Sequence, residues 1–124
     1  MSSIPSPAQV VARRRAERQQ LLDEAKAFVE GLDTGLTVRW TAVFGSVARG
    51  DFNDDSDIDV LVIAEHLPAR YHDRLESLGW PIAGRVEPVV WTPAEYCRQL
   101  QRRSPIAVEA LELGAWISGE PLGT

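Results

Sequence analysis

The sequence predicts an α/β (α+β) domain, a small mixed sheet flanked by helices. A long helical stretch opens the chain, two apolar strand-like segments follow it closely, and capped helical segments come late. The 124 residues suffice for one core, and 44% hydrophobic with 25% charged residues is a globular balance. Residues 1–7, rich in Ser and Pro, are expected as a flexible N-terminus, and 8–124 as a single domain.

From Ala8 to Glu30 the chain reads as a helix that Gly31 ends. Leu21, Ala25, Phe28 and Leu32 form its core-facing stripe. The same stripe extended backwards meets Arg18, Arg14 and Val11, so the first half lacks an apolar face; a solvated, Arg-rich end is expected, the alternatives being a half that projects from the body, covers a partner or reaches an anionic ligand.

"LTVRWTAVF" alternates, with Leu36, Val38, Trp40, Ala42 and Phe44 on one side, and predicts a strand over 36–44. "DIDVLVI", 57–63, is nearly all apolar after its acidic start and is expected to be a central strand. Residues 68–79 read as a short helix or crossover, with Gly79 and "WPIAG" as the return. "RVEPVVW", 85–91, is a third strand; Pro88 cannot donate to a ladder, so this strand belongs at an edge or carries a bulge. Thr92, Pro93 and Glu95 are spaced as a capping box opening a helix. Another helix is expected over Pro105–Leu113 with Gly114 as its stop, and "AWISG" as a short last strand.

Several function classes fall away early. A formal net charge of −5 argues against broad nucleic-acid binding. No apolar run approaches the ~18 residues a bilayer span needs, and the first residues hold no signal-peptide core, so no membrane role and a cytoplasmic location are expected. Cys97 stands alone, which excludes a disulfide framework and a Cys-based zinc site and leaves a buried or partly buried structural thiol. His66 and His72 show no ligand spacing and read as surface. Trp40, Trp80, Trp91 and Trp116 read as packing residues, and Arg98, Arg102 and Arg103 as one solvated helix face.

Chemistry concentrates in "FGSVARGDFNDDSDIDVLVI", where five of the nine residues from Asp51 to Asp59 are aspartates. An EF-hand loop starting at Asp51 would need Gly and Glu where Ser56 and Val62 stand, and a Walker A loop would need a lysine after its glycine. A solvated acidic loop accounts for Asp51, Asp54 and Asp55. It does not account for Asp57 and Asp59, which lie on one face of a strand roughly 7 Å apart. Two like charges at the start of a buried strand are costly to desolvate, and a divalent cation removes that cost. Oxygen ligands with no His or Cys nearby favour Mg²⁺ or Mn²⁺. Upstream, Gly45 ends a strand and Ser46 can open a short helix that Gly50 closes. Such a turn offers free N–H groups and a hydroxyl to phosphate, and Arg49 adds a guanidinium able to clamp phosphate oxygens.

Gly45-Ser46, ten residues, then Asp57-Ile58-Asp59 resembles the GS…DxD signature of the DNA polymerase beta-like nucleotidyltransferase superfamily. The fuller "GSVARGDFNDDSDIDVLV" resembles its minimal nucleotidyltransferase (MNT) branch, strongly over 43–63 and more weakly to about 120, through "LELGAWISGEPL". The resemblance implies the nucleotidyltransferase fold and NMP transfer from an NTP, with ATP expected. It implies two Mg²⁺ (or Mn²⁺) ions on Asp57 and Asp59, and phosphates on Gly45, Ser46 and Arg49. A third carboxylate on a later strand completes the family's site and helps activate the attacking hydroxyl. Glu87 is the candidate, in "VEPVV", where it replaces the more usual aspartate; an edge-strand surface glutamate is the alternative. Only 37 residues follow Glu87, too few for a helical substrate domain, so the acceptor is expected to come from a second copy or a partner protein. The MNT resemblance implies a HEPN-domain toxin as that partner, adenylylated by an antitoxin. A catalytically weak module that acts by docking is the alternative.

Overall fold

The computed structural model describes residues 4–32, 35–79 and 84–119. Trp80 and the return at 80–83 lie outside them, as do 120–122 of the closing segment. The elements are α1 (Pro7–Glu30), β1 (Thr37–Phe44), α2 (Gly45–Arg49), β2 (Ile58–Glu65), α3 (Tyr71–Ser77), β3 (Val86–Trp91), α4 (Pro93–Gln101), α5 (Pro105–Leu113) and β4 (Ala115–Gly119). The strands form one sheet in the order β3-β2-β1-β4. β1 pairs antiparallel with β2 and with β4, and β2 pairs parallel with β3. The mixed sheet and the central place of β2 match the expectation.

Side-chain alternation puts a helical layer on each face. Leu21 and Ala25 of α1 pack with Val43, Val47, Val60, Val62 and Val90. On the other face Trp40, Ala42, Phe44, Leu61 and Ile63 pack with Tyr96 of α4 and Ala110 of α5. The one-sided stripe expected from Leu36 to Phe44 is corrected by a register shift between Val38 and Trp40. Leu36 and Val38 pack with the α1 cluster, and only Trp40, Ala42 and Phe44 face the other way.

α1 starts at Pro7, inside the segment expected to be loose, because Ser6 caps it: the Ser6 hydroxyl accepts from Gln9 N–H and the Gln9 side chain returns the bond. The Arg-rich half is not simply solvated. Arg18 donates to the carbonyls of Val47 (3.0 Å) and Ala48 (3.1 Å). Arg14 donates to those of Gly50 (2.9 Å) and Phe52 (2.7 Å), with its guanidinium 3.9 Å from the Phe52 ring centroid. Two arginines thus take the place of an apolar stripe and tie α1 to the end of α2.

β3 is an edge strand, as Pro88 requires, and its register against β2 runs unshifted from Val86 to Trp91. Val90, in the same alternating phase as Pro88, turns its N–H to the Tyr71 hydroxyl and its carbonyl to Arg74 rather than to β2. Pro88 therefore costs the ladder no bond. One further expectation is corrected: Cys97 is exposed, because it lies on the outer face of α4. Trp116 on edge strand β4 is 51% exposed yet packs edge-on against Trp40, with ring centroids 6.5 Å apart. No described helix is long and apolar enough to cross a membrane.

Candidate active site

The site forms where β1 ends and β2 begins. β1 delivers Phe44 opposite Asp59 of β2, and the chain then turns into the short helix α2. Gly45 makes that turn at φ +74°, where a side chain is strained. A Cβ there would overlap the Asp59 carboxylate, so only glycine admits this approach of backbone and acid. Gly50 closes α2 at φ +92°, its N–H donating to the Ser46 carbonyl at 2.9 Å. Ser46 and Arg49, three residues apart, share one face of the turn.

Asp59 and Glu87 are direct neighbours across the parallel β2–β3 pair. Glu87 is exposed on edge strand β3, and its register places it beside Asp59. Asp57 stands just before β2, exposed, and its charge reaches Asp59. Burial first, then the charges of Glu87, Asp57 and Glu109, push the Asp59 carboxyl up from 3.8 to about 6, with Arg49 pulling the other way. A cavity of about 360 Å³ opens beside the pair, lined by Phe44, Asp59, Tyr71, Glu87, Pro88 and Ile106 among others.

Among the described residues no three His, Cys, Asp or Glu side chains close into a cation cage. Asp57, Asp59 and Glu87 form an open, all-oxygen donor set with excess negative charge. By donor chemistry such oxygens suit a hard ion such as Mg²⁺, but as placed in this structure they do not by themselves enclose one.

Arg49 lies at the site but is not a free cation. Its Nε–H donates to Asp51 at 3.2 Å and its Nη1–H to Glu109 of α5, and both carboxylates raise its pKa further. Asp51 is thus an exposed loop charge paired with Arg49, whereas Asp54 and Asp55 are exposed and make no ion pair among the described residues. Glu109 is the residue that sequence reasoning missed. Nothing in "PIAVEALEL" separates it from Glu112; only the packing of α5 against α2 does so. His66 and His72 are exposed, as expected.

A mixed sheet whose first hairpin encloses a glycine-serine turn and a carboxylate pair is the architecture of a nucleotidyltransferase. The sequence profile of the nucleotidyltransferase domain matches residues 14–110, and the chain belongs to that family. Over 51 residues it is 35% identical to a protein of Methanocaldococcus jannaschii provisionally named a protein adenylyltransferase. That match covers 40% of this chain and 52% of the relative, about half its length. A crystal structure from Sulfolobus solfataricus, provisionally named a nucleotidyltransferase, superposes with a TM-score of 0.62 at 25% identity, covering 83% of this chain and 84% of that one.

Proposed function

We propose that the protein is a metal-dependent nucleotidyltransferase that transfers AMP from ATP to a hydroxyl on a partner protein. We infer as its setting a toxin–antitoxin pair in which this chain modifies a HEPN-domain toxin. The observation that carries the reading is the meeting of three elements at one point: Asp59 lies in register beside Glu87 and against the Cα of Gly45. The relative named a protein adenylyltransferase supports the adenylyl and protein parts.

Gly45 and Ser46 hold the β- and γ-phosphates, with Arg49 beside them. Asp57, Asp59 and Glu87 would hold Mg²⁺, two ions with nucleotide bound, which would supply positive charge against the α-phosphate and the departing pyrophosphate. Glu87 takes the proton of the acceptor hydroxyl, whose oxygen forms the new bond to the α-phosphorus as the bond to the bridging oxygen breaks. The cavity beside Glu87 gives the acceptor its approach.

The test is label transfer from ATP in Mg²⁺ to the HEPN-domain product of a neighbouring gene. Transfer that Asp57→Ala and Glu87→Gln abolish establishes the enzyme. The open donor set favours a second reading, a catalytically weak module that neutralises its partner by docking. A stable complex with no transfer would establish that one and overturn the first.

A further inference from the structure

Arg49 is shared by two carboxylates in different surroundings. Asp51, on the loop just after α2, takes the Nε–H and leaves 63% of its side chain exposed. Glu109, across the packed α2–α5 contact, takes an Nη1–H and leaves only 23% exposed. Neither bond uses Nη2, which has no acceptor among the described residues. The guanidinium is therefore fixed along two edges with a third donor group open, on the α2 face it shares with Ser46.

We propose that the two carboxylates have different fates when a triphosphate binds: Glu109 stays as the anchor that orients Arg49, and Asp51 is a placeholder that yields its bond to a phosphate oxygen. The inference rests on the nucleotide-binding reading above. Burial decides which bond is kept. Glu109 stripped of its cation would remain mostly desolvated and unpaired, the costlier outcome, whereas water readily takes over an exposed aspartate. Retaining Glu109 also keeps its negative charge compensated beside an anionic ligand. Glu109 is thus a positioning residue that acts through Arg49, and α5 takes part in the site without touching the nucleotide.

Isothermal titration of Mg²⁺-ATP into the full chain tests this, with a melting curve for each variant. Glu109→Gln is expected to weaken binding about tenfold, the worth of one charge-assisted bond. Asp51→Asn is expected to tighten it about twofold, because an exposed competitor is removed. In an Arg49→Ala background, itself weakened, Glu109→Gln should have no further effect. Weaker binding by Asp51→Asn, unchanged binding by Glu109→Gln, or a tenfold loss that persists without Arg49 would each overturn the proposal. If Glu109→Gln melts below the assay temperature, Asp51→Asn and Arg49→Ala decide, through their opposite signs. Wild-type protein that binds no Mg²⁺-ATP sinks the nucleotide reading and this inference together; wild-type binding with the wrong signs sinks the inference alone.

Discussion

A carboxyl group that is partly buried and faces other carboxylates gives up its proton reluctantly, and Asp59 is in that position at about 6. The folded chain then holds the Asp59 proton more tightly than the unfolded chain does. This contribution to stability is full below the unfolded value of 3.8 and is lost as pH rises through about 6. Without divalent cations, Asp59→Asn is expected to melt about 5 °C above the wild type at neutral pH and level with it near pH 4. Mg²⁺ should raise the melting temperature of the wild type at neutral pH and leave the variant where it was. Calorimetry across that range checks both, and a pH-independent difference between the two proteins would refute the assignment. Asp57 and Asp59 were legible in the sequence because strand alternation makes two acids on one face conspicuous. Glu87 was legible only as a candidate, since no local pattern tells which strand lies beside which. Asp51 is the exposed loop charge the sequence suggests, paired with its near neighbour Arg49, whereas Glu109 reaches the same arginine from sixty residues away, and a partner across the fold leaves no trace in a charge's neighbours.

At the scale of elements, one buried cation joins three. Arg74 of α3 donates through Nε to the Pro68 carbonyl (2.7 Å) and through Nη1 to the Val90 carbonyl (3.3 Å) and to Glu95 (2.7 Å), with its side chain only 7% exposed. Glu95 also completes the capping box that starts α4. Burial pushes the Glu95 carboxyl up, but Thr92 N–H and Arg74 outweigh it and hold the group below the ordinary carboxylate range. Arg74→Met is expected to cost about 3 kcal/mol, because it leaves buried acceptors unpaired. The stability gap between wild type and Glu95→Gln should be full at neutral pH and close as pH falls through the lowered Glu95 value. Urea titrations at several pH values measure both, and a loss below about 0.5 kcal/mol for Arg74→Met would show the contacts to be superficial. Elements with local punctuation were legible: Thr92-Pro93-Glu95 marks α4, and Gly45 and Gly50 bracket α2. Anchors between elements were not. Arg14, Arg18 and Arg74 look like surface charge in sequence and are bound to carbonyls in the fold, and the shift after Val38 has no compositional mark.

For the whole molecule, periodicity shows which residues face inward but not the order of strands, so β3-β2-β1-β4 and the pairing of β4 with β1 became visible only in three dimensions. That order separates the site's parts by how the chain reaches them. β1, α2 and β2 follow one another and pair antiparallel, whereas Glu87 arrives on a parallel strand after the α3 crossover. Local antiparallel pairing closes short loops, while parallel pairing pays a larger closure entropy before any contact rewards it. Assembly of the β1–β2 unit is therefore expected first and docking of β3 afterwards. Stopped-flow refolding should give φ-values above about 0.5 for Val43→Ala and Leu61→Ala and below about 0.3 for Val90→Ala, and the reverse ranking would refute that order. A chain arrested midway would hold the glycine-serine turn and both aspartates but not Glu87, so the three carboxylates are expected to come together only once β3 has docked.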